Sequence, residues 1–339
     1  MAAAAAAALL LSGCALWDTP SAETQVFAMD TVMSLTIYGS DAQAALDQAV
    51  EDLYRWDGLW DVTSENSQIW ALNHNAGEAV TLDDETADLL ARAVELCQLT
   101  DGALDITSYP AVQAWGFTTG EYRVPSQEEL DALIPLIDYT TLTLEGTTAS
   151  LPQGQMVDVG SVAKGYAGAK LADGLRQEGV ESALLYLGGN VQTVGAKPDG
   201  TPWRIGIQDP AQSQQTALGV VEVTDLAVVT SGSDQRYFQQ DGQTYWHIMD
   251  PSTAAPARSG VASVTVVGAD GTVCDGLSTA LFVLGAEEGG RFWQENPQLD
   301  VEVLWVMEDG SLQMTPGLET AFHLADGQAQ REVTVLCYE

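Results

Sequence analysis

The sequence predicts an α+β fold with a largely antiparallel sheet and packed helices. Three observations carry that reading. Apolar residues at helical spacing dominate the first half, strand-like runs dominate the second, and no linker divides the chain convincingly. Met33 to Tyr38 alternates as a strand stopped by Gly39. Residues 41–57 place Ala45, Leu46, Val50, Leu53 and Tyr54 along one helical face. Residues 84–100 do the same with Leu89, Leu90, Ala93, Val94 and Cys97, and Gly102 lies beyond the end. Ser126-Gln127-Glu128-Glu129 has the spacing of a capping box, in which serine and glutamate satisfy each other's free N–H groups. It opens a helix to about Leu136.

Strands follow near 141–145 and 155–159, then a helix over 162–178 closed by Gly179. Ser182 to Leu187 reads as a buried strand halted by Gly188-Gly189. Strands at 203–208, 219–230, 235–239 and 244–249 form a meander; 262–268 is a further strand and 275–284 a helix. The tail alternates over 301–307, turns at Glu308-Asp309-Gly310, and continues at 311–315 and 332–337.

The chain has 339 residues, 46% of them apolar, enough for a substantial core. Lys plus Arg is 12 and Asp plus Glu is 48, a net charge of −36. That balance disfavours nucleic acid, whose phosphates need cations, and adsorption to an anionic membrane surface. The only lysines, Lys164, Lys170 and Lys197, fall in one short stretch. An anionic ligand of so acidic a chain needs local cations, a bound metal or backbone N–H groups; chance grouping of a rare residue explains the lysines equally well.

Leu9-Leu10-Leu11-Ser12-Gly13-Cys14 follows an alanine run and resembles a bacterial lipoprotein signal, although the usual basic n-region is missing. On that reading residues 1–13 are the signal, 14–25 a tether from a lipidated Cys14, and 26–339 the folded domain, held outside the cytoplasm at the cell membrane. The alternative is an alanine-rich leader without structure. The run is too short to span a bilayer as a helix. Cys97, Cys274 and Cys337 remain, an odd number without C-x-x-C spacing, which argues against a disulfide framework or a zinc site. Cys97 falls on the apolar side of its helix.

Three motifs carry chemistry. In Val157-Asp158-Val159-Gly160-Ser161-Val162-Ala163-Lys164, a strand ends on an acid and turns into a helix. Such a corner offers free N–H groups and the positive end of a helix dipole, with Lys164 able to reach a phosphate and Asp158 able to accept from a base or sugar. The plainer alternative is an ordinary turn with a capping aspartate. In Asp275-Gly276-Leu277-Ser278-Thr279, Asp275 and Thr279 stack one helical turn apart and offer hard oxygen suited to magnesium. Against this, a helix N-terminus repels cations, and an N-cap aspartate is the simpler reading. In Tyr245-Trp246-His247-Ile248-Met249-Asp250-Pro251, His247 ends an aromatic strand and is a candidate proton acceptor; a hydrogen-bonded structural histidine is the alternative.

Taken together and in this order, the motifs resemble the ApbE family of lipoprotein FAD:protein FMN transferases. The resemblance runs from Met29-Asp30-Thr31 through Ser67–Asn73, Gly102-Ala103-Leu104-Asp105-Ile106-Thr107, Trp115-Gly116-Phe117 and Asp158–Tyr166. It continues through Leu187-Gly188-Gly189, Trp203–Pro210, Thr230-Ser231-Gly232 and His247–Pro251 to Asp275–Thr279. It implies a single ApbE-like, T-fold-like domain. It implies that Met29, Ala103, Leu104 and Asp105 contact FAD, that Asp158 and Lys164 hold its adenosine-diphosphate part, and that Ile248 lies near the flavin nucleotide. Magnesium, or manganese, would sit between the Ser161 carbonyl and the Asp275 and Thr279 side chains, with Ser278 adjacent. His247 would be the base that activates a Thr or Ser hydroxyl of an acceptor, a subunit of a membrane or extracytoplasmic redox system, with AMP leaving. The chain departs from the family pattern at Asp30 and Ala254, each in place of a glycine, and at Cys274, Gly276 and Ser278, each in place of an alanine. Two rivals share the site: a magnesium-dependent FAD pyrophosphatase, and a lipoprotein that binds FAD without chemistry.

Overall fold

The computed structural model describes residues 19–75, 77–212 and 216–337. The signal and Cys14 lie outside the described residues. In chain order, the hairpin β1 (Ser21–Ala28) and β2 (Thr31–Tyr38) leads into α1 (Ala42–Trp60), α2 (Gln68–His74) and α3 (Asp84–Leu99). Then come α4 (Tyr109–Ala114), α5 (Gln127–Leu133) and α6 (Ala163–Gln177). Strands β3 (Ser182–Leu187), β4 (Asn190–Val194), β5 (Trp203–Gln208), β6 (Ala217–Val223) and β7 (Ala227–Gly232) follow. The hairpin β8 (Tyr237–Gln240) and β9 (Gln243–Trp246) precedes β10 (Val261–Gly268) and α7 (Gly271–Glu295). The chain ends with β11 (Val301–Met307), β12 (Leu312–Met314), β13 (Phe322–Leu324) and β14 (Val333–Val335).

One nine-stranded sheet, in the order β1-β2-β3-β4-β7-β10-β11-β12-β14, forms the spine. Every pairing in it is antiparallel except the last, β12 with β14. The expected α+β class with a largely antiparallel sheet therefore holds. Helices α1, α3 and α6 bury one face of the sheet around Met33, Leu35, Ile37, Leu53, Leu89 and Leu185, all fully buried. α7 extends that layer over β7 and β10 with Leu277, Leu281 and Phe282. The opposite face is covered by a small sheet ordered β13-β6-β5, whose Trp203, Ile205 and Val221 meet Val191, Val228 and Leu304. The capping box at Ser126 and Glu129 is present.

Four expectations are corrected. The tether does not reach residue 25, because Ser21 already pairs with Tyr38 at the start of β1; Ala22, Val26 and Ala28 are buried while Phe27 faces out. Residues 155–159 are not a strand. The Val157 N–H donates to Asn73 Oδ1 (2.7 Å) and the Val157 carbonyl accepts from Asn73 Nδ2 (2.8 Å), so one side chain takes the place of a ladder neighbour. The run 219–230 is two strands in different sheets, separated by a turn where Asp225 has φ 58°. The helix expected at 275–284 begins at Gly271, and its cap is Asp270, whose carboxylate accepts from Thr272 N–H (2.9 Å) and Val273 N–H (3.3 Å). It is broken at Gly285, where φ is 78°.

Candidate active site

The site forms where the N-terminal turns of α6 and α7 meet the ends of β7 and β9. At the 158–164 corner, the Asp158 N–H donates to the Ile106 carbonyl (2.9 Å), and Asp158 Oδ1 accepts from Gly160 N–H (2.8 Å). α6 starts at Ala163 with Val162 as its N-cap, so its first intrahelical bond from the cap runs from Tyr166 N–H to the Val162 carbonyl at 2.9 Å. The Gly165 N–H is one of the donors that a helix N-terminus leaves without an intrahelical partner. It donates to Asp275 Oδ2 at 2.8 Å. Among the described residues no hydrogen bond reaches the Ser161 carbonyl, one residue before the cap. The bond requires close helix approach: a Cβ on Gly165 would lie 2.1 Å from the Gly271 carbonyl oxygen and 2.5 Å from Asp275 Cβ.

Asp275 is buried, and burial raises its pKa from the ordinary carboxylate value, opposed by the Lys164 charge and the Gly165 N–H. It lies a full turn past the Asp270 cap, so the dipole objection to a cation weakens, because that effect fades within the first turn. Ser278 Oγ donates to the Asp275 carbonyl (2.8 Å) and bonds Ser231 Oγ at 2.7 Å; Ser231 Oγ also reaches Thr279 Oγ1 at 3.3 Å. Ser231, at the end of β7, thus clamps the hydroxyls of α7.

His247 follows β9. Its backbone N–H donates to the Arg236 carbonyl (3.1 Å), the Phe117 ring stands 6.4 Å away, and its Nδ1 is buried without a partner. Burial first, then the positive charges of Arg236 and Lys164, lower its pKa from 6.5 to about 4. The imidazole is therefore neutral, the state a proton acceptor needs. Burial also raises the Asp158 pKa, countered by Gly160 N–H, Arg236 and Lys164. The Lys164 ammonium meets the Gly160 carbonyl at 3.3 Å, and its charge acts on Asp158, His247 and Asp275 alike, which ties the three motifs into one neighbourhood. Lys170 instead pairs with Asp88 at 3.1 Å.

The remaining expected residues divide. Met29 and Asp30 form the β1–β2 turn, both with positive φ (49° and 58°), and the Met29 N–H donates to Asp57 Oδ1 (2.7 Å). Asp30 lies 3.6 Å from the exposed Arg236. Ala103 and Leu104 pack into the helix-side core. The Asp105 carboxylate is committed to the fold: Oδ1 accepts from Thr107 N–H (2.8 Å) and Oγ1 (2.6 Å), and Oδ2 from Tyr139 N–H (3.1 Å). The Ile248 side chain is buried with Trp246 and Ala257. Sequence reasoning gave no role to Ser231, Arg236 or Asn190, whose amide faces Asp275; Ser231 lies inside a quoted motif and Asn190 adjoins one, so both were within reach.

Among the described residues no three His, Cys, Asp or Glu side chains converge as a metal cluster. The candidate donors are the Asp275 carboxylate and the Thr279 hydroxyl one turn apart on α7 and the Ser161 carbonyl on the corner that the Gly165–Asp275 bond joins to that helix, all hard oxygen. That set fits magnesium or manganese, with ligand phosphates completing the shell.

The chain resembles known proteins along most of its length. The sequence profile of the ApbE family matches residues 29–305. A FAD:protein FMN transferase of Vibrio cholerae serotype O1 is 35% identical over 272 residues, 79% of this chain and 80% of the relative. The crystal structure of the ApbE protein of Thermotoga maritima superposes with a TM-score of 0.83 at 31% identity, covering 89% of this chain and 99% of that one. The apo flavinyl transferase ApbE of Pseudomonas stutzeri gives 0.80 at 29% identity, covering 91% and 99%. A chain with this fold, this motif order and these likenesses belongs to the ApbE family.

Proposed function

We propose that this protein transfers FMN from FAD to a hydroxyl of an acceptor protein, as the names of its relatives say of them. The single observation that carries the reading is the bond from the Gly165 N–H at the start of α6 to the buried Asp275 carboxylate of α7, which joins two of the three motifs, while the Lys164 charge acts on both of them and on the neutral His247. Ser161, Asp275 and Thr279 would hold a divalent cation, with Ser278 and Ser231 orienting the hydroxyls. When bound, that cation supplies Lewis acidity that draws charge off the diphosphate oxygens. Lys164 and the free N–H groups of the corner hold the adenosine-diphosphate side, and Asp158 keeps an oxygen for a sugar or base.

His247 accepts the proton of a Thr or Ser hydroxyl on the acceptor. The hydroxyl oxygen forms a bond to the FMN phosphorus, the bond from that phosphorus to the bridging oxygen breaks, and AMP leaves with that oxygen. Holding the two reacting groups in line supplies much of the rate. A lipidated Cys14 would hold the enzyme at the outer face of the cell membrane, beside redox complexes that carry bound flavin.

The test is incubation of purified protein with FAD, magnesium and a candidate acceptor, with and without chelator. Transfer gives a fluorescent acceptor band that survives a denaturing gel and disappears with chelator. Release of FMN and AMP with no labelled band would make water the nucleophile and the protein a pyrophosphatase. Recovery of intact FAD would leave binding alone.

A further inference from the structure

β4 starts directly after a Gly188-Gly189 turn, both glycines with positive φ (63° and 102°). Alternation along β4 puts Asn190 and Gln192 on one face. That face meets the helices: a Cβ on Gly168 would touch Gln192 Cβ at 3.3 Å, and one on Gly271 would lie 2.8 Å from Gln192 Oε1. Both amides are buried, 5% and 3% exposed, and with Lys164 and Gly165 they line a small cavity between β4 and the two helix starts. The Asn190 amide faces the Asp275 carboxylate, yet its Nδ2 makes no hydrogen bond within ordinary distance, and neither does Gln192 Oε1. A buried donor without a partner is costly. An apolar side chain of the same size would fill the space without that cost, so the amide needs a reason.

Asp275 supplies one. Its Oδ2 is fixed by Gly165 N–H on the α6 side; on the β4 side the Asn190 amide is near enough to favour the ionised carboxylate but stands beyond ordinary hydrogen-bond distance. We propose that Asn190 is a positioning residue for Asp275. Its Nδ2 closes onto the carboxylate when that group turns an oxygen toward a divalent cation, so that α6 and β4 grip the carboxylate from both sides. The inference rests on the metal reading given above.

Mn2+ binding, followed by electron paramagnetic resonance with FAD present and acceptor absent, tests it without turnover. Asn190→Leu fills the same volume without a donor and should weaken Mn2+ by about tenfold or more, the usual effect of removing a group that orients a ligand. Its metal-free melting temperature should be unchanged or higher. Asn190→Ser, which keeps a donor, should recover most of the affinity. Wild-type Mn2+ affinity in Asn190→Leu overturns the proposal. So does collapse of the fold in both Asn190→Leu and Asn190→Ala, which would make the residue a packing element. Asp275→Ala separates the two levels: unchanged Mn2+ binding there overturns the metal reading itself, whereas loss there with retention in Asn190→Leu overturns only the role of Asn190.

Discussion

His247 shows how much one residue's surroundings decide. An exposed histidine titrates near 6.5, but this ring is boxed in and faces Arg236 and Lys164, which lowers it to about 4. A proton acceptor of this kind works once it is deprotonated, so activity should fall only as pH drops toward about 4. The acidic limb of kcat/KM against pH, which reports the free enzyme, should bend there. A bend near 6.5 would mean that the ring is more open than its packing indicates. His247→Ala should keep FAD affinity and slow transfer by about tenfold or more, the low end for a lost general base. Normal transfer would remove His247 from the chemistry. Asp30 is a second local case. Its carboxylate stands on the hairpin turn near Arg236, where an anionic ligand would feel it. Asp30→Gly removes that charge and suits the positive φ at the position. FAD affinity should rise about threefold at low salt, the scale of an exposed charge, and the gain should vanish in high salt. Equal affinities at low salt would place the adenosine-diphosphate side elsewhere.

Among the elements, α6 and α7 matter most, since their crossing makes the site. Gly165 has no room for a methyl group, because the Gly271 carbonyl and Asp275 Cβ occupy it. Gly165→Ala should cost about 1–3 kcal/mol through overpacking and pull the N–H off Asp275, abolishing stabilisation by magnesium. Gly174, on the same helix, has nothing within 4 Å of a built Cβ. Gly174→Ala should therefore stabilise by about 0.5–1 kcal/mol, since alanine loses less backbone freedom in a helix. Thermal melts of the pair check both, and equal effects would mean that the helices do not approach as closely as described. The same crossing explains what could be read in advance. Asp275 and Thr279 were visible because a spacing of four is a local, helical fact. The Gly165–Asp275 bond was not, because it joins two residues 110 apart in sequence on different helices. β1 was hidden because its inward residues include two small alanines and its outward ones are mostly polar, so the alternation is faint. β4 was hidden for the opposite reason: all five residues are buried and three are polar, leaving no period to read. The extended run near 157 looked like a strand because Val157 and Val159 are core residues, although its partner is the Asn73 side chain.

The whole molecule carries a net charge of −36, and within that field it keeps Asp158 and Asp275 partly or fully out of water. Burial raises both carboxyl pKa values above the ordinary 3.8. A carboxyl whose folded pKa is raised binds its proton more tightly in the folded state than in the unfolded one. Stability from that group is therefore present below the unfolded value and is lost as pH rises through the folded pKa. At neutral pH, where the unfolded carboxyl is ionised, burying Asp275 weakens the metal-free fold, a cost that a bound cation would offset. Asp275→Asn keeps the shape and can still accept from Gly165 N–H, but it carries no charge. In the absence of metal it should melt higher than wild type at pH 7, by about 2 °C or more, with the difference shrinking as pH falls toward 4. Magnesium with FAD should raise the wild-type melting temperature by mass action and leave the variant unmoved. Should the variant melt lower than wild type without metal, the carboxylate would be stabilising the fold rather than straining it, and the case for Asp275 as a cation ligand kept at the expense of stability would fall.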